Sequence, residues 1–144
     1  MGRVLAVDPG EKRLGIAISD PYGVLATPLT VIRHESMTVD CLKIIELCAQ
    51  NDVSLIVIGQ ALSASGEESP QVRHTHKLAQ TIRSLSPLPV LFWDESESTN
   101  LAKKAAIEMG VKKKKRAGHL DEHAAAVILQ SYLEAQKGRQ ANEA

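Results

Sequence analysis

The apolar positions of this chain change their period along its length. Val4-Leu5-Ala6-Val7 is a continuous apolar run that stops at Asp8, and a second run, Leu14 to Ile18, stops just before Asp20. Pro9-Gly10-Glu11-Lys12 between them has the chemistry of a tight turn. Gly23 to Ile32 reads as a third strand. Pro28 interrupts it, which suits an edge or a bulge because proline cannot donate to a ladder. The three together predict an antiparallel meander. The period then shifts. Cys41, Ile44, Ile45 and Cys48 recur at i, i+3, i+4 and i+7, one apolar face of a helix. Ser54 to Gly59 (SLIVIG) is almost wholly apolar, as in a parallel strand covered on both sides. Gln71 to Leu85 is helical and is stopped by Pro87-Leu88-Pro89, and Pro89 to Trp93 is another buried strand. Thr99 can cap a helix that runs to Met109 and closes at Gly110. Leu120 to Ala135 forms the last helix, with Leu120, Ala124, Val127 and Ile128 on one face. The predicted order is βββαβαβαα, an α/β fold of three layers around a mixed five-stranded sheet.

Length and composition narrow this picture. At 144 residues the chain suits one domain with a proper core. We expect that domain over residues 1–137, with 138–144 as a flexible C-terminal tail. Aromatic residues are only 3%, so aliphatic packing carries the core and stacking platforms for single strands are not evident. The formal net charge is +0, which gives no global steering toward a polyanion. Charge is local instead: Lys112, Lys113, Lys114, Lys115 and Arg116 stand in one run. Such a run is a solvated loop or a track for a phosphate backbone. No apolar run reaches the ~20 residues of a membrane span, and Met1-Gly2-Arg3 leads straight into a strand, so a cytoplasmic protein without membrane contact is expected. Cys41 and Cys48 lie two helical turns apart, too far for a mutual disulfide, and read as small core residues.

The candidate chemistry lies in carboxylates at strand ends. Asp8 ends the first strand, Asp94-Glu95 ends the last, and Asp121-Glu122 opens the final helix. Strand C-termini of an α/β sheet gather at one edge, where ligands bind. Acids converging there repel one another unless a cation sits between them. Oxygen-only ligands suit Mg²⁺ or Mn²⁺, and two such ions can activate water for phosphodiester cleavage. Each acid also has a local explanation: Asp8 as a turn residue, Asp121 as an acid favoured by the helix dipole.

The stretches "VDPGEKRLGIAISD", "VIGQALSASGEESP", "WDESEST" and "AGHLDEHAAAVILQSYL" resemble, in order and spacing, the four signature blocks of the YqgF/RuvX family. These are bacterial proteins described as Holliday-junction-resolvase-like or as pre-16S rRNA nucleases. The resemblance covers nearly the whole chain. It implies a ribonuclease-H-like fold and a metal-dependent nuclease site at Asp8, Glu95 and Asp121. It also implies a nucleic-acid partner: precursor ribosomal RNA, or alternatively a four-way DNA junction, with ribosomal particles as a further context. Two departures stand out. Where the family's middle block reads like "PLNMDG", this chain has Ala61-Leu62-Ser63-Ala64-Ser65-Gly66, and Ser96 stands where an Arg usually follows the acidic pair. Losing that Arg removes a bidentate phosphate contact.

Leu62 to Pro70 is a Gly- and Ser-rich loop, read either as a plain connection or as a flap in which Ser63 and Ser65 offer hydroxyls to phosphate or sugar. His119, Glu122 and His123 fit an inverted zinc-protease pattern, but only 21 residues follow to supply a third ligand. The first block also resembles the phosphate hairpin of actin-like ATPases, which carry two such domains where this chain has room for one. A non-catalytic RNA-binding assembly factor and a dimeric DNA junction resolvase stay open beside the RNA nuclease, as do monomer and homodimer.

Overall fold

The computed structural model describes residues 2–60, 69–94 and 120–143, the side chains of 120–122 and 139–143 excepted. Strands β1 (Arg3–Pro9), β2 (Arg13–Ser19) and β3 (Ala26–Arg33) precede helix α1 (Met37–Gln50). Then follow β4 (Val53–Gln60), α2 (Pro70–Leu85), β5 (Val90–Asp94) and a helix here called α3 (Leu120–Glu143). The five strands form one sheet in the order β3-β2-β1-β4-β5. β1, β2 and β3 pair antiparallel, whereas β4 lies parallel to β1 and β5 parallel to β4. The meander and the parallel strands predicted from the sequence are therefore both present. Pro28 sits on the edge strand β3 opposite Ala17, beside a register shift between Ile16 and Ala17. The edge and the bulge expected of this proline coincide.

Alternation divides the sheet into two faces. Leu5, Val7, Leu14, Ile16, Ile56 and Ile58 pack under α1 and α2, which contribute Cys41, Ile44, Cys48, Leu78 and Ile82. Ala6, Ala17 and Val57 face the other way, against Ala125, Ile128, Leu129, Tyr132 and Leu133 of α3. Small alanines on this second face let the helix approach closely. Large aliphatic side chains fill the first, each worth about 1.5–3 kcal/mol when fully buried. Both cysteines are free and buried, and burial pushes each thiol up to about 11.

The elements begin and end where local chemistry allows. Ser36 caps α1 by accepting from the Val39 N–H, and Ser69 caps α2 by accepting from the Val72 N–H at 3.2 Å. Pro70 at the first helical position lacks only an N–H that would have no intrahelical partner. The helix thus starts at Pro70, a residue the sequence reading had placed in the preceding loop. Helical backbone in α3 runs on to Glu143, past Ala135, where the sequence reading ends this helix. Of the added residues, Gln136, Lys137, Arg139, Gln140, Ala141 and Glu143 are good helix formers, while Gly138 and Asn142 are poor ones.

Candidate active site

Because β1, β4 and β5 are parallel, Pro9, Gln60 and Asp94 all mark one edge of the sheet. Asp8 lies half-buried at that edge, paired with Gly15 of β2. Its parity is that of Ala6, so it stands on the face covered by α3. Asp94 shares the parity of Phe92, which packs on the opposite face under α2. Trp93, on the α3 face, donates its indole N–H to Ser131 Oγ at 3.1 Å.

The middle of α3 is also tied to the start of the edge strand β3. Gln130 accepts from the Ala26 N–H at 2.9 Å and donates to the Val24 carbonyl at 3.0 Å. Ala26 pairs with Ser19, whose hydroxyl accepts from the Val4 N–H at 2.9 Å, so these groups stand level with the start of β1. From Gln130 back to Asp121 the helix rises about 14 Å. From Val4 to Asp8 the strand advances about 13 Å. The helix is therefore long enough to carry the backbone of Asp121 to the level of Asp8. The side chain of Asp121 lies outside the described residues, as do Glu95, Ser63, Ser65, the run Lys112 to Arg116, the predicted helix from Thr99 to Met109, and His119. Most of the loop from Leu62 lies outside them as well. Among the described residues, no group of three His, Cys, Asp or Glu could hold a metal ion.

Three further features of this edge were not anticipated from the sequence. The side-chain oxygen of Gln60 is buried and has no hydrogen-bond partner among the described residues. Leaving such an acceptor unpaired costs about 1–3 kcal/mol, and Gln60 shares the parity of Ile56 and Ile58, on the face opposite Asp8. A polar residue ending the apolar run "SLIVIG" was the signal available for it. Second, Asp40 is buried and accepts from His34 Nδ1–H and from the Glu35 N–H at 3.0 Å. The His34 N–H in turn donates to the Lys12 carbonyl at 2.9 Å, which ties the end of β3 to the β1–β2 turn. His34 and Asp40 straddle a strand–helix junction, where no periodicity joins them. Third, Pro9, Gly10 and Glu11 face Pro70, Gln71 and His74 across a pocket of ≈ 210 Å³.

Comparison with known proteins adds the following. The profile of the RuvX family, described as Holliday junction resolvase, matches residues 2–135. A protein of Roseiflexus sp. (strain RS-1), named "Putative pre-16S rRNA nuclease", is 36% identical over 136 residues, covering 94% of this chain and 96% of its own. One of the same name from Ruegeria sp. (strain TM1040) is 37% identical over 134 residues, covering 93% and 85%. Among solved structures, RuvC of Thermus thermophilus in complex with a Holliday junction substrate superposes with a TM-score of 0.62 at 15% identity, over 96% of this chain and 97% of that one. The yeast mitochondrial Holliday junction resolvase Ydc2 gives 0.58 at 14% identity, over 94% and 79%. At such identities the likeness concerns the fold, which is the ribonuclease-H-like α/β arrangement of these resolvases.

Proposed function

This chain belongs to the RuvX family, and from that premise we propose that it is a metal-dependent nuclease. Its substrate in this reading is RNA, cleaved in maturation of the 5′ end of precursor 16S ribosomal RNA. The observation that carries the reading is the placement of Asp8 on the α3 face at the edge where β1, β4 and β5 end. The length of α3 allows the backbone of Asp121 to reach the same level.

Asp8, Glu95 and Asp121 are the residues that would hold the metal, and the chemistry of the site fits one. The set is all carboxylate oxygen, the donor type that Mg²⁺ and Mn²⁺ prefer. When bound, a divalent ion, Mg²⁺ or Mn²⁺, supplies charge neutralisation and Lewis acidity to the phosphodiester. The protein's own part is to hold the carboxylates on rigid elements. Asp8 sits on a central strand paired on both sides, so its position is fixed before substrate arrives. Lys112 to Arg116, which precede Asp121 in the sequence, would neutralise the nucleic-acid backbone, and Ser63 and Ser65 would offer hydroxyls to phosphate or sugar. Among the described residues, no helix is long and apolar enough to cross a membrane. The place of work in this reading is the cytoplasm, on ribosomal particles.

The test sets the purified protein against 5′-extended 16S precursor, mature 16S RNA and a four-way DNA junction, each with Mg²⁺, Mn²⁺ or EDTA. We expect cleavage of the precursor alone, lost in EDTA and lost in Asp8→Asn. That variant should stay folded, with metal-free stability equal or higher because a repulsion among acids is relieved. Cleavage of the junction instead would make the protein a resolvase. Tight RNA binding without cleavage would make it an assembly factor.

A further inference from the structure

The pocket beside Asp8 has chemistry of its own. One wall is the turn Pro9-Gly10-Glu11, which continues directly from the strand that carries Asp8. The other is the first two turns of α2, with Pro70, Gln71 and His74. Both walls are fixed. A Cβ at Gly10 would stand 2.4 Å from the Arg13 carbonyl oxygen, so the turn keeps its shape only with glycine. The Lys12 carbonyl is held from outside by the His34 N–H at 2.9 Å. The start of α2 is held by the Ser69 cap and by the buried Thr75 hydroxyl, which donates to the Gln71 carbonyl at 2.9 Å. A preformed pocket binds with little ordering cost.

Its size and lining restrict the occupant. At ≈ 210 Å³ it falls below the roughly 300–1,000 Å³ of pockets for drug-sized ligands, which suits a single planar group. Two proline rings give it apolar surfaces. Among the described residues that line it, Glu11 brings a carboxylate, which disfavours a phosphate. What remains is a neutral, flat ligand with N–H donors. Gly10 is two residues past Asp8, at most about 7 Å along the chain; Asp8 stands on the α3 face and the pocket on the α2 face, so such a ligand would sit across the end of β1 from a phosphodiester held at Asp8.

We infer that this pocket receives one unpaired nucleobase flanking the scissile bond, and that Glu11 selects guanine. The inference rests on the nuclease reading for the identity of the polymer. A carboxylate only accepts hydrogen bonds, and with two oxygens it accepts in pairs. Guanine presents two adjacent donors on its Watson–Crick edge, N1–H and the N2 amine. Adenine and cytosine set an acceptor nitrogen beside their amine, and uracil flanks its one N–H with carbonyls. Reading that edge on a splayed base is how single-stranded RNA is recognised. Gln71 and His74 supply the mixed donors and acceptors of the opposite wall.

Binding separates this proposal from catalysis. Labelled oligocytidine RNAs carrying one central guanine, inosine, adenine or uracil are titrated in EDTA and followed by fluorescence anisotropy. Guanine should bind about tenfold tighter than inosine, which lacks the N2 amine, a difference within the range of a bidentate base contact. Glu11→Gln should reduce that preference to about twofold or less, and His74→Ala should weaken the guanine RNA several-fold. Equal affinity for all four RNAs in the wild type, or a preference that survives Glu11→Gln, overturns the proposal. A guanine preference in a protein that cleaves no RNA supports the pocket and overturns the nuclease reading alone.

Discussion

At the scale of single residues, burial decides what each group can do. Cys41 and Cys48 sit in the core between α1 and the sheet, and desolvation pushes both thiols to about 11 from an ordinary 9.0; the Asp40 charge adds to the effect at Cys41. A folded-state value above the unfolded one means that the unfolded chain loses its protons first as pH rises. The stabilisation is complete below pH 9 and is lost between 9 and 11. Denaturant unfolding across that window should show falling stability. Cys48→Ala should remove one thiol's share of the slope and cost about 1 kcal/mol at neutral pH through lost burial. Iodoacetamide should leave both sulfurs unlabelled at pH 8 until the protein unfolds. Labelling of the native protein at pH 8 would contradict this burial.

At the scale of elements, strand parity decides between two neighbouring acids. Phe92 and Asp94 share the α2 face of β5, while Trp93 packs on the α3 face, the face of Asp8. Residues with the parity of Trp93 alternate toward Asp8 and Asp94 does not, which is why we propose Glu95, and not Asp94, as the ligand. We expect Glu95→Gln to abolish cleavage while the protein stays folded. Asp94→Asn should keep measurable activity and lose mainly stability, read from its melting temperature. An inactive but fully stable Asp94→Asn beside an active Glu95→Gln would reverse the assignment. Alternation in the sequence already sets Asp94 and Glu95 on opposite faces; the register adds which of those faces is the one Asp8 occupies.

At the scale of the whole molecule, charge must be considered locally. With a net charge of +0 the chain has no overall pull on a polyanion, yet five cations stand together from Lys112 to Arg116. If these track the backbone, replacing two of the lysines weakens RNA binding uniformly across sequences. It also flattens the log–log salt dependence by about two units at most. An unchanged slope would mean that the run meets solvent only. This is distinct from the guanine preference assigned to Glu11, because phosphate contacts position a nucleic acid and base contacts specify it.

The sequence by itself determined the order of elements, the mixed character of the sheet and the family. Those depend on local period, proline placement and motif spacing, all of which act over a few residues. It also singled out Asp8, because a carboxylate ending an apolar run is conspicuous in one dimension. Only the tertiary structure decided which faces Asp8 and Asp94 occupy. It also brought Gly10 and Glu11 opposite Gln71 and His74, gave buried Asp40 its partner in His34, and left the Gln60 oxygen buried at the sheet edge. These depend on parallel pairing of β1 with β4 and on helices crossing the sheet, contacts between residues tens of positions apart. No local rule encodes them: propensity and period set each element, and burial of both sheet faces sets where the elements meet.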